Sequence, residues 1–210
     1  CAGFAINHNI IAASYKAGVE HLHFASSACV YPVKLQEMGS KPLREDGVLS
    51  VGDGWKSSDN TYGWAKLMAE LELKAYHEQY GFKSSICRYL TVYGPEEYDE
   101  SHAIASLTRK ALRKEDPFIV WGTGEATRDF IHARDVGRGM LLAVEKYPVP
   151  DPINLATGRS IKIKDLAYLI LKLAGYENAR VILDQSKPIG QLERRVSVVK
   201  AKEKVGFVAQ

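Results

Sequence analysis

The sequence is poor in the features that would mark it as secreted, membrane-bound, disordered or nucleic-acid binding. Its 210 residues hold only three cysteines, Cys1, Cys29 and Cys87. They cannot all pair with one another and show no metal-ligand spacing, so a reduced, cytoplasmic setting without a metal site is expected. No apolar run approaches the ~18 residues of a membrane span, because Lys, Glu or Gly interrupts the longest ones. No basic stretch leads into an apolar one as in a signal peptide. Neither sign of charge dominates, with 28 Lys and Arg against 25 Asp and Glu. The clustered basic residues of a nucleic-acid binder are missing, and the acidic stretch Glu96, Glu97, Asp99 and Glu100 opposes that role. Hydrophobic residues make up 46%, which excludes the low hydrophobicity of disordered chains. There is no internal repeat.

What is present is an alternation of helix and strand patterns, which argues α/β with a mostly parallel sheet. The first residues read as helix up to Gly18, and His21–Ala25 reads as a strand, so the sequence opens as if in the middle of an α/β unit. The polar stretch Lys34 to Asn60, with Pro42, Gly47, Gly52, Asp53 and Gly54, reads as a long loop of the kind that is usually functional. A helix is expected from Thr61 to Tyr80, with Leu67, Leu71, Ala75 and Tyr76 facing inward and Glu70, Glu72, Lys74 and Glu78 outward. Strands at Ser85–Leu90, Phe118–Val120, Asp129–His132, Ile153–Leu155 and Val181–Leu183 alternate with helices from His102, Asp135, Ile163 and Lys200.

Tyr62 and Lys66 stand i,i+4 near the start of a helix, so both side chains share one face. An ammonium one turn from a phenol favours the phenolate and draws its pKa toward the working pH, which suits proton exchange with a substrate hydroxyl. Ser26 and Ser27 follow at the carboxyl end of a parallel strand, the edge where open α/β sheets bind ligands.

Four segments resemble the extended short-chain dehydrogenase/reductases, the NAD(P)-dependent nucleotide-sugar epimerases and dehydratases. They are Phe24-Ala25-Ser26-Ser27-Ala28-Cys29-Val30-Tyr31-Pro32, Tyr62-Gly63-Trp64-Ala65-Lys66, Arg88 to Pro95, and Trp121-Gly122-Thr123-Gly124 with Arg128-Asp129-Phe130-Ile131-His132 and Asp135-Val136. The resemblance runs from Asn9 to Gly206. It implies a Rossmann-like parallel sheet, the C-terminal part of a doubly wound domain over 1–95, and a smaller α/β substrate domain over 96–210 with a return to the first sheet near 125–155. It also implies a homodimer, packed through the Tyr–Lys helix and its neighbour.

By the same resemblance Ser27, Tyr62 and Lys66 form a catalytic triad: Tyr62 the general acid/base, Lys66 on the nicotinamide ribose, Ser27 on the substrate oxygen. Ala25, Ser26, Leu90 and Val92 would border an NAD or NADP cofactor. The family's Gly-rich phosphate turn is absent, which implies roughly a hundred further residues before this sequence; Gly122-Thr123-Gly124 lacks the third glycine of that turn.

Within the family, Ser27-Ala28-Cys29-Val30-Tyr31-Pro32 is similar to the segment in GDP-mannose 3,5-epimerases, and GDP-L-fucose synthases also carry a Cys two residues before Tyr-Pro. The 4,6-dehydratases have an Asp-Glu pair where Ala28-Cys29 stand. In the first two groups the Cys and a Lys or His invert carbons beside a ketone, and His102 matches the synthase's His. Thiol and imidazole, with ordinary pKa values of about 8.5 and 6.5, both suit that work near neutrality. Otherwise Cys29 is a small buried apolar residue and His102 a surface residue at a helix start. Arg128 and either Arg194 or Arg195 match a clamp on the nucleotide diphosphate, for which guanidinium forks are suited. Trp121 lies against the base or closes the core, Lys110 approaches a phosphate or faces water, and Thr91 replaces a substrate-contacting Asn. A nucleotide-sugar epimerase is the reading that follows. A 4-epimerase, reductase or dehydratase of the family, and a non-catalytic sugar-nucleotide binder, are the alternatives.

Overall fold

The computed structural model describes residues 2–48, 60–95, 97, 101–187 and 190–210. Cys1, the loop residues Gly52, Asp53 and Gly54, and Glu96, Asp99 and Glu100 lie outside these. In chain order the first elements are α1 (Ala2–Lys16), β1 (His21–Ser27), α2 (Asn60–Tyr80), β2 (Lys83–Tyr89) and β3 (Thr91–Tyr93). Next come α3 (Ala103–Leu112), β4 (Phe118–Trp121), β5 (Thr127–Arg128), β6 (Phe130–His132) and α4 (Ala133–Lys146). The last are β7 (Ile153–Leu155), β8 (Ile161–Lys162), α5 (Ile163–Leu173), β9 (Val181–Asp184), β10 (Glu193–Arg194) and α6 (Val199–Val205).

β1, β2 and β7 form a parallel sheet in that order, with Ser27 opposite Tyr89 and Cys87 opposite Ile153. Gly18 and Gly81, at φ +71° and +68°, turn the chain from α1 into β1 and from α2 into β2, a conformation that a Cβ opposes. Strand alternation then sorts the side chains by face. Leu22, Phe24 and Ile86 pack with Ile11, Leu73 and Phe82 under α1 and α2. Cys87, Ile153 and Leu155 pack with Val136, Ala143, Val205 and Phe207 under α4 and α6. Each such fully buried aliphatic side chain contributes about 1.5–3 kcal/mol. Helices on both faces make the sheet Rossmann-like, as expected.

The remaining strands pair parallel as β3–β6, β4–β9 and β5–β10, and β5–β8 antiparallel. Leu107 of α3, Phe118 and Val120 of β4, and Leu166 and Ile170 of α5 close a further core. Among the described residues no helix is long and apolar enough to cross a membrane.

Three expectations are corrected. Glu70 is not on the outer face of α2 but 4% exposed and paired with Arg88 of β2, and Leu71 is not on the inner face but 36% exposed. The strand expected over Asp129–His132 is split. Asp129 stands between β5 and β6, where it is buried and its carboxylate accepts from Thr157 N, Thr157 Oγ1 and Gly158 N. Burial pushes that carboxyl upward, and these donors oppose the shift. In the described part of the stretch from Lys34, 3-10 turns form at Val33–Gln36 and Glu45–Val48, and Leu43 bridges to Val196.

Candidate active site

β1 ends at Ser27, where the chain leaves the sheet through a 3-10 turn over Ala28–Val30. The Ser27 Oγ accepts from Cys29 N at 3.1 Å and so caps that turn. In that bond the oxygen acts as acceptor, so the hydroxyl proton is not consumed by it. On α2, one turn separates Tyr62 from Lys66. The Lys66 ammonium donates to the Ala25 carbonyl at 2.7 Å and lies 5.0 Å from the Phe24 ring centroid and 5.7 Å from that of Tyr62. It is thus held between the end of β1 and the phenol ring, and burial lowers its pKa. Tyr62 is 45% exposed, open to an approaching ligand.

Of the other residues expected beside a cofactor, Ala25 is at the surface, with its carbonyl on Lys66. Ser26 and Leu90 are turned the other way. Ser26 Oγ is buried and donates to Glu70, and Leu90 packs in the core with Val30, Tyr31 and Leu67. Strand alternation sends every second side chain away from the rim, so both can face a cofactor only through backbone atoms. Val92 packs partly against the core beneath α4.

A second group of residues lies beyond β3. Thr91, His102, Lys110, Trp121 and Arg128 line one cavity of about 310 Å³, together with Ser101, Ser106 and Phe130. His102 precedes α3 as its cap residue, and its Nδ1 makes a short contact with the Glu97 carboxylate. Lys110 is not on a solvated face; its ammonium donates to the Ile119 carbonyl at 2.9 Å. Trp121 does not close the core, being 57% exposed with the Lys187 ammonium 5.9 Å from its ring.

Parallel pairing of β5 with β10 places Arg194 opposite Arg128. Arg195 is occupied elsewhere, donating to the Ser40 carbonyl and pairing with Glu193. Arg194 is held by Gln36 and Gln191 at 2.7 Å each, and its Nη1 reaches Cys29 Sγ at 3.8 Å. Among the described residues no carboxylate pairs with Arg128 or Arg194. Burial, and then the charge of Arg194, push the Arg128 guanidinium down to about 10. Two facing cations without a carboxylate partner favour an anion between them. Gln36 and Gln191 were missed from sequence, since a glutamine that orients an arginine carries no motif of its own. Among the described residues no group of His, Cys, Asp and Glu is arranged to hold a metal.

A parallel sheet clothed on both faces, with Tyr62 and Lys66 at the carboxyl end of β1, defines a Rossmann-type α/β protein. Residues 2–156 match the NAD dependent epimerase/dehydratase family, and the chain belongs to that family. It is 29% identical over 196 residues to a GDP-L-fucose synthase of Sinorhizobium fredii, covering 90% of this chain and 60% of that protein. It is 30% identical over 171 residues to a GDP-mannose 3,5-epimerase of Arabidopsis thaliana, covering 79% of this chain and 44% of the relative. Among solved structures, the UDP-glucose 4-epimerase of Thermotoga maritima with UDP-glucose superimposes with a TM-score of 0.82 at 28% identity, over 97% of this chain and 63% of that one. The chain therefore spans less than two thirds of the length of these relatives.

Proposed function

We propose that the protein is an NAD(P)-dependent epimerase of a nucleotide sugar, with GDP as the carrier and a transient keto-sugar as intermediate. One observation carries this reading: Thr91, His102, Trp121 and Arg128 share a cavity, while Arg194 links Arg128 to Cys29. Diphosphate ligands and the proposed carbon acid/bases are thus neighbours. The names of the two curated relatives support the GDP carrier.

The residues present fit NAD(P), because the Lys66 ammonium is fixed on the Ala25 carbonyl near the end of β1, beside an exposed phenol. Lys66 would hold the nicotinamide ribose, and backbone at Ala25, Ser26, Leu90 and Val92 would border the ring. When bound, the cofactor supplies oxidation of the sugar carbinol and its reversal. Tyr62 takes the proton of the sugar hydroxyl and later returns it, with Ser27 donating to the same oxygen. Once the carbon beside it is a ketone, Cys29 or His102 removes a proton from one face of the adjacent carbon, and the other returns one to the opposite face. Arg128 and Arg194 hold the diphosphate. We further propose a homodimer through α1 and α2, whose exposed Ile6, Ile10 and Met68 would otherwise face water.

The test is solvent-deuterium incorporation into a GDP-4-keto-sugar by the full-length protein. Cys29→Ser is expected to abolish exchange. Unchanged exchange removes Cys29 from the mechanism.

A further inference from the structure

α2 carries its functional face past Lys66. Tyr62, Lys66 and Glu70 follow at i, i+4 and i+8, one above the other on the helix. Lys66 is tied to β1 through the Ala25 carbonyl, and Glu70 through the Ser26 hydroxyl by a short hydrogen bond. Arg88 of β2 stands opposite Ser26 in the sheet register. It holds Glu70 in a bidentate fork, Nε to Oε1 at 3.0 Å and Nη2 to Oε2 at 2.6 Å. Its remaining nitrogen, Nη1, donates to the Glu45 carbonyl at 2.9 Å and to Tyr31 Oη at 3.2 Å. Tyr31 in turn donates to Asn154 of β7 at 2.7 Å, and Asn154 donates to the carbonyls of Leu43 and Ser197. Both charged side chains are 4% exposed.

Such a pair does little for stability compared with apolar residues of equal volume, because desolvation offsets its attraction. What a satisfied buried network does supply is one geometry, since any other arrangement strands a charge or a donor. This one fixes the rotation of α2 about its axis relative to the end of β1, one residue from Ser27.

We propose that Glu70 and Arg88 are positioning residues for the reaction, holding the Tyr62–Lys66 face of α2 in register with Ser27 at the end of β1. This rests on the triad roles proposed above. Neither residue touches a substrate; they act through Lys66 and Ser26. A misplacement of about 1 Å in such a constellation costs on the order of 10²-fold in rate.

The test compares Glu70→Gln/Arg88→Met, which removes both charges together, with Lys66→Met and wild type. Two readouts are taken: kcat and KM in the full-length protein, and the NMR titration of the Tyr62 ring carbon, which needs no turnover. The positioning role predicts a fold-change in kcat of at least about tenfold with little change in KM, and a Tyr62 titration displaced in the same direction as in Lys66→Met. Tyr62 titration displaced in Lys66→Met but not in a folded double variant with wild-type kcat overturns the positioning role alone. Tyr62 titration unmoved in Lys66→Met overturns the triad reading itself. If the double variant does not fold, Ser26→Ala carries the same readouts. It severs only the link from Glu70 to β1, and wild-type values in it overturn the proposal.

Discussion

Single residues in this protein owe their behaviour to what the sheet packs around them. His23 lies on the β1–β2 surface, bridging Ser85 Oγ at 2.8 Å and Tyr89 Oη at 2.9 Å. A neutral ring satisfies both contacts, as donor at one nitrogen and acceptor at the other. Burial first, and then neighbouring His21, lower its pKa from 6.5 to about 4. The unfolded chain therefore takes up a proton here as pH falls below 6.5, while the folded chain does so only near 4. The contribution to stability is complete above 6.5 and is lost as pH falls through that window. The expected result is a thermal midpoint that falls on acidification, with a shallower slope for His23→Gln in the upper part of the window. Equal slopes for the two proteins would exclude His23 as a source of the dependence.

At the scale of elements, α4 shows how two glycines on one helix answer to different constraints. A Cβ on Gly139 would meet Leu155 Cδ1 at 2.7 Å and Phe207 Cε2 at 3.1 Å, both on fully buried side chains. The missing side chain is what lets α4 approach β7. Gly137 has nothing within 4 Å of such an atom. Gly139→Ala is expected to destabilise by about 1–3 kcal/mol through overpacking. Gly137→Ala should instead stabilise by about 0.5–1 kcal/mol through helix propensity. Denaturant unfolding of the two variants checks both signs, and two stabilising changes would contradict the close approach. The elements themselves were legible in the sequence, because α5 and β7 carry plain periodicity and Gly81, Gly158 and Gly175 follow the ends of α2, β7 and α5. The split of one expected strand into β5 and β6 was not, since the donors that hold Asp129 come from residues 157 and 158.

At the scale of the whole molecule, α1 and α2 cover one face of the sheet and carry an apolar outer surface. Ile6 and Ile10 are 60% and 55% exposed one turn apart, and Phe4, Met68 and Leu71 border a shallow hollow beside Asn7 and His8. Water contact over such a stripe is unfavourable, and a second copy presenting the same stripe would remove it. The proposed dimer predicts that Ile6→Lys/Ile10→Lys sediments as a monomer at concentrations where wild type is dimeric. A variant that stays dimeric would move the interface elsewhere.

The sequence alone determined the alternation of helices and strands, the Tyr62–Lys66 spacing and the position of Ser27 at a strand end. These are local matters of periodicity, capping and spacing along the chain. Only the tertiary structure decided that Arg194 rather than Arg195 faces Arg128, and that Lys110 and Trp121 border the cavity. It also turned Glu70 inward. For Glu70 the physical reason is that a lone carboxylate on a helix reads as solvated until a cation from another element is placed beside it. That cation is Arg88, 18 residues further along the chain and opposite Ser26 only through the pairing of β1 with β2.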